Sequence, residues 1–225
     1  MEIRMQHTGK DDKKMEQTRE YQVEERSLAQ TVMQADAIVY RQLHADEIDR
    51  KLFAQFIRRQ AVTLCRRREK GEWVIREDPF IDDWTEADYQ VLITCLKNTI
   101  CTGGFVYGAF ADGGLKGFTS VEAVLFGGVN RYLDLSCIHV SEDMRGRGIG
   151  QMLFRAAAEW AKQKGAGKLY ISAHSAVETQ AFYQAMGCVE AQEYNKEHVE
   201  REPYDCQLEY RLQHEPSAVK CLIDQ

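Results

Sequence analysis

Between residues 138 and 150 the chain reads Ile-His-Val-Ser-Glu-Asp-Met-Arg-Gly-Arg-Gly-Ile-Gly, and this run holds the residue types best suited to chemistry. Gly146, Gly148 and Gly150 fall at alternate positions, with Arg145 and Arg147 among them. Glycine lets the backbone take positive φ and leaves no Cβ in the way of a ligand. Successive amides in such a run can point to one side, and the N-terminus of a following helix adds partial positive charge. That combination suits a pyrophosphate, and Arg145 and Arg147 would add full charges. A glycine-rich turn can also be no more than a tight connection. The dinucleotide fingerprint G-x-G-x-x-G fails because the glycines are evenly spaced, and the Walker pattern is absent.

Thirty residues further on, Gln180-Ala181-Phe182-Tyr183-Gln184-Ala185-Met186-Gly187-Cys188 places Phe-Tyr on a short helical stretch that ends in Gly. Together the two runs resemble the two signatures of the GNAT superfamily of N-acetyltransferases. The first, Arg145 to Gly150, matches R/Q-x-x-G-x-G/A, and the order of elements from residue 37 to 212 is similar to that family's fold. The resemblance implies acetyl-CoA as co-substrate, with no metal. Ile138 and Val140, with His139 between them, would offer a splayed strand to the pantetheine arm and the thioester carbonyl. Arg145, Gly146, Arg147, Gly148, Ile149 and Gly150, with Gln151 in the first helical turn, would hold the pyrophosphate. Tyr183 would donate a proton to the leaving thiolate. The family often has Asn seven residues before this Tyr, and here that position is Ala176. Ser175 and Glu178 read instead as a capping box, with Ser175 an N-cap first and a cofactor contact second.

Direct attack on a thioester needs a neutral amine, and a lysine-like amine is neutral in only about one molecule in 2,500 at pH 7. A base therefore helps. Asp134 resembles the strand carboxylate of histone-type relatives, and Glu122 is a second candidate base or an anchor for the substrate's ammonium. His139 and His174 are further bases, each with a structural reading beside it. The stretch Trp73 to Trp84 and residues 193–205 are acidic and aromatic, a composition that suits a cationic amine.

Around these residues the pattern predicts a strand at Ala37 to Arg41, then a helix from about Ala45 carrying Ile48, Leu52, Phe53 and Phe56. Residues 70–83 read as a short strand followed by a loop. Thr85 with Asp88 opens a helix that Thr102-Gly103-Gly104 ends. Strands follow at Phe105 to Phe110, Leu115 to Leu125 and Arg131 to Val140, the first two joined by a hairpin turn. A helix from about Gly148 to Lys164, a strand at Lys168 to Ala173, a helix at Ala176 to Met186, and strands at Cys188 to Gln192 and Tyr204 to Leu212 complete the domain. The expected fold is α+β: a mixed, mostly antiparallel central sheet of six to seven strands flanked by about four helices. The domain spans 35–213. A charged extension (1–34), a helical arm or disordered, precedes it, and a tail (214–225) follows.

The chain has 225 residues, formal net charge -6 and seven scattered cysteines without a C-x-x-C pair. This is poor evidence for a disulfide framework or a zinc site and fits a reducing cytoplasm. The negative balance argues against nucleic acid and an anionic membrane as partners. The basic run Arg66-Arg67-Arg68 is short and has acidic neighbours. No signal peptide or bilayer-length apolar run is visible. The function expected is acetyl transfer from acetyl-CoA to a small cationic or amino-sugar-like amine. Acetylation of a protein N-terminus or lysine, and a silent acyl-CoA-binding regulator, are the alternatives. Whether the chain forms a homodimer is open.

Overall fold

The structure, a computed structural model, describes residues 37–213, so the expected extension and tail lie outside the described residues. The chain divides after Val39, and the fold below is that of the part from Tyr40 onward. It is the α+β architecture that the element order implies, with ten strands in three sheets among the described residues. Strands β1 (Val39–Gln42), β4 (Phe105–Ala111), β5 (Gly114–Val121) and β7 (Cys137–Val140) form one four-stranded sheet in the order β1-β4-β5-β7. Strands β6 (Tyr132–Asp134), β8 (Lys168–Ala173), β9 (Val189–Glu190) and β10 (Cys206–Arg211) form a second, in the order β6-β8-β10-β9. Only the β6–β8 ladder is parallel among the pairs with a resolved register. The third sheet is a hairpin of β2 (Arg59–Glu69) and β3 (Glu72–Asp83).

Four α-helices accompany the strands in the described residues: α1 (Glu86–Cys101), α2 (Ile149–Gln163), α3 (Val177–Ala185) and α4 (Lys196–Arg201). Helix α1 starts where the sequence predicts, with both bonds of the Thr85/Asp88 capping box in place. Helix α2 buries Leu153, Phe154, Ala157 and Ala161 against the sheets, its alanines allowing close approach. Leu133 and Leu135 join that core beside Leu169, Ile171 and Tyr183. A second core forms between α1 and the first sheet, around Leu43, Phe53, Leu96, Val106 and Phe118. Among the described residues no helix is long and apolar enough to cross a membrane.

Two expectations need correction here. Residues 45–55 form successive turns instead of a helix, although Ile48, Phe53 and Phe56 are buried as their spacing requires. The Asp49 carboxylate accepts from the Leu52 amide at 3.0 Å, and Ala54 and Phe56 amides reach back only three residues. Such local bonds compete with the helical ladder. The loop expected in the second part of residues 70–83 is strand, continuous to Asp83. Pro79 fits there because the register slips between Val62 and Leu64, and a bulge leaves no ladder bond for proline to spoil. Residues 193–205 contain helix α4, which Asn195 caps by accepting from the Glu197 amide.

The expected third strand is broken into β6 and β7, and the break matters. The Glu122 amide donates to the Asp134 carbonyl and the Ser136 amide to the Ser120 carbonyl, yet Ser120 is also aligned with Cys137. Two residues, Ser136 and Cys137, thus oppose one, which is a β-bulge. Before the bulge the strand pairs with β8, where the last bond runs from the Leu135 amide to the Tyr170 carbonyl at 2.9 Å. After it the strand keeps β5 and loses β8. The two sheets therefore part like a fork, with β7 left as a free edge.

Candidate active site

Ser141, just past β7, donates its amide to the Lys116 carbonyl at 2.8 Å. Antiparallel alternation then turns His139 and Cys137 toward β5 and leaves the peptide groups of Ile138 and Val140 on the free edge. The strand end is locked in place. The Ser141 hydroxyl accepts from the Ile57 amide (2.9 Å) and donates to Asp143 (2.5 Å), which also pairs with Lys116 at 2.6 Å. Beyond it the backbone passes through Gly146 and Gly148 at φ +77° and +79°. Helix α2 begins at once, with Gly148 as N-cap and no side-chain cap. Its first amides thus have no intrahelical partner and carry the positive end of the helix dipole.

A cavity of about 580 Å³ opens against this turn. One wall is Ile138, His139, Val140, Arg145, Gly146, Gly148, Ile149, Gly150 and Gln151. The other is Arg58, Gln60 and Ala61 from the β2 side and Glu178, Thr179, Phe182 and Tyr183 from α3. Two guanidiniums meet here. Partial burial, and then Arg58, lower the Arg145 pKa. Arg58 pairs with Asp82, but its buried Nε has no hydrogen-bond partner among the described residues.

Tyr183 is buried, yet its ring reaches the cavity and its hydroxyl makes no hydrogen bond to the described residues. Burial pushes its phenol up strongly, and Cys188, Cys137, Asp205 and Asp134 push it further. It is a protonated phenol at any ordinary pH.

The remaining sequence-predicted residues fare unevenly. Arg147 is exposed and stands off the cavity wall. Ser175 is neither N-cap nor cavity wall: Ala176 is the N-cap, and the buried Ser175 hydroxyl accepts from Arg67. Glu122 lies past β5 and accepts from Thr99 (2.6 Å) and Ser136 (2.9 Å), bracing the bulge without lining the cavity. Burial, then Arg58 and Arg145, push the His139 imidazole down to about 3, so it is neutral and a poor base; its ring packs edge-on against Trp84. His174 Nδ1 is engaged by the Ala176 amide.

Asp134 sits at the fork, off the cavity wall, and its Oδ2 lies 2.8 Å from His198 Nε2. The aromatics of the stretch Trp73 to Trp84 each have partners within the fold. Trp73 bonds Glu190 and lies under Arg66 and Arg68, Phe80 packs on His174, and Trp84 on Phe56. Sequence reasoning missed Arg58, Gln60 and His198. The Lys70-Gly71 turn, at φ 51° and 91°, was the signal for the hairpin that brings the first two; nothing local marks His198.

Residues 70–188 match the model of a family described as acetyltransferase (GNAT) family. A streptothricin acetyltransferase of Streptomyces lavendulae is 43% identical over 61 residues, 27% of this chain, and the match spans 31% of that protein. Among solved structures, a nourseothricin acetyltransferase superposes with a TM-score of 0.58 at 19% identity, covering 79% of this chain and 99% of the other. A Bacillus anthracis protein assigned as a streptothricin acetyltransferase, in complex with acetyl coenzyme A, gives 0.58 at 17% identity, covering 80% and 99%. At such identities the superpositions show a common fold.

Proposed function

This chain belongs to the acetyltransferase (GNAT) family, and we propose that it transfers an acetyl group from acetyl-CoA to a primary amine of a small cationic compound, with streptothricin-like amines the first to try. One observation carries the reading: a free strand edge runs straight into an uncapped helix N-terminus at the wall of a single cavity. The residues fit the coenzyme. A Cβ built on Gly146 or Gly148 meets nothing within 4 Å, so the turn leaves room for phosphate. The orphaned Arg58 Nε, in a wall that also holds Arg145, supplies an unmet donor for an anion.

Acetyl-CoA, when bound, supplies an acetyl group activated as a thioester. The amides of Ile149 to Gln151 and the guanidiniums of Arg58 and Arg145 would hold its pyrophosphate. The Ile138 and Val140 peptide groups would align its pantetheine arm as an added strand aligns on an edge. An edge amide of β7 would polarise the thioester carbonyl. Tyr183, kept protonated by burial, would give its proton to the departing sulfur. The amine must arrive neutral, which asks for a base at the far side of the fork, where Asp134 lies.

The test follows thiol release from acetyl-CoA with streptothricin, spermidine, lysine, glucosamine and a lysine-containing peptide. Release with a small cationic amine, well above background hydrolysis, is the expected result. Binding of acetyl-CoA without release by any amine would make the chain a silent acyl-CoA-binding module. Release with the peptide alone would move it to protein acetylation.

A further inference from the structure

The site as sequence reads it has an acid in Tyr183 but a weakly placed base, and the fold supplies a better one on its shortest helix. Helix α4 has only six residues, yet it is pinned. The Asn195 amide donates to the Tyr170 hydroxyl at 2.8 Å, and Asn195 caps the helix. His198 then lies stacked on the Tyr170 ring, with centroids 5.7 Å apart and planes 30° apart. Its Nε2 faces Asp134 Oδ2 at 2.8 Å across 64 residues of chain. Asp134 in turn is the last residue of β6, paired with Tyr170 and two residues before the bulge that opens the fork.

We propose that His198 is the base that takes the proton of the acceptor ammonium, with Asp134 as the positioning residue that holds its ring. This rests on the acetyl-transfer reading above. Three observations support it. The Asp134 carboxylate is held by the ring: among the described residues its Oδ1 is buried without a hydrogen-bond partner and its Oδ2 meets only Nε2. With Nε2–H donated to Asp134, Nδ1 keeps its lone pair, and it makes no hydrogen bond to the described residues. The ring remains about a fifth exposed, so a solute can reach it. Leu133 and Leu135, on either side of Asp134 in the chain, pack in the same apolar cluster as Tyr183.

The groups that face His198 are Asp134 from β6, Tyr170 from β8, Asp205 just before β10 and Arg201 on its own helix. The bond to Asp134 raises its pKa despite burial. A base raised in this way holds an abstracted proton better, at the expense of activity lost in acid. The step balances as follows. One ammonium proton passes to Nδ1 and the nitrogen–carbon bond forms. The carbon–sulfur bond then breaks as the sulfur takes the Tyr183 proton, and the nitrogen's second proton returns to Tyr183 through solvent. The products are the amide and the thiol, and His198 releases its proton to water.

The experiment measures kcat/KM against pH for wild type, His198→Ala and Asp134→Asn. It uses whichever amine of the panel above releases thiol, and acetyl-CoA affinity is measured in parallel. In wild type, activity should rise with pH along a limb whose midpoint lies above the ordinary histidine value of about 6.5. His198→Ala should lose about 100-fold in kcat/KM at pH 7, bind acetyl-CoA normally, and lose that limb. Its deficit should narrow as pH approaches about 10, where the amine sheds its own proton. Asp134→Asn keeps the shape of the side chain but removes the charge, so its limb should move to lower pH; this variant serves if His198→Ala does not fold. A His198→Ala rate within threefold of wild type, a deficit that stays constant with pH, or an unmoved limb in Asp134→Asn overturns the proposal while leaving acetyl transfer standing. Absence of thiol release by wild type with every amine overturns both.

Discussion

Gly148→Val separates a coenzyme site from a simple connector, because its effects on folding and on binding have different causes. Gly148 sits at φ +79°, and a Cβ there meets nothing within 4 Å. The added β-carbon therefore makes no clash within the protein. Its folding penalty is backbone strain alone, about 1–3 kcal/mol for a side chain forced to positive φ. At roughly 2–4 °C per kcal/mol for a domain of this size, melting should fall by several degrees. The open space is the cavity itself, since Gly148 forms part of its wall. The valine methyls would stand where the phosphates must come. Coenzyme A affinity should fall at least tenfold, about 1.4 kcal/mol. Gly113 provides a matched control, at φ +74° with nothing within 4 Å, in the β4–β5 turn and off the cavity wall. Gly113→Val should lose similar stability and bind coenzyme A normally. Thermal melting with calorimetric titration reads both quantities. If Gly148→Val binds like wild type, the glycine turn is a connector and the coenzyme assignment fails.

Tyr183→Phe should reduce kcat on the order of 10²–10⁴-fold while leaving acetyl-CoA affinity nearly unchanged, because proton donation helps only as the carbon–sulfur bond breaks; equal losses in rate and binding would return this ring to the core. Arg58→Gln should weaken coenzyme A binding about tenfold, with a deficit that shrinks at high salt, measured by titration at two ionic strengths; a salt-independent deficit would point to lost packing against Trp84 instead, where the guanidinium lies 5.2 Å from the ring centroid.

Local pattern determined much of this protein. The turn 145–150 and the Phe182-Tyr183 helix were legible because their glycines and aromatics sit a few residues apart on one element. The capping box at Thr85, the hairpin turn at Asp112-Gly113 and the apolar stripe of α2 were legible for the same reason. The backbone forces that set them act over one or two turns of chain. Where local signals competed, the reading failed. Residues 45–55 have helical spacing but local side-chain bonds, and Ser175 has a capping sequence, yet its hydroxyl meets Arg67 from a distant hairpin.

Only the tertiary structure decided the fork and what gathers at it. The bulge at Ser136 and Cys137 is a mismatch between two strands, so it is a property of their pairing and of neither strand alone. Arg58 reaches the cavity because β2 passes beside β7, where the Ile57 carbonyl accepts from Glu142 at 2.9 Å. His198 meets Asp134 because α4 is anchored on Tyr170. Contacts between residues 64 or 85 positions apart leave no periodicity in the chain, and they arise only when separate elements bury their apolar faces together.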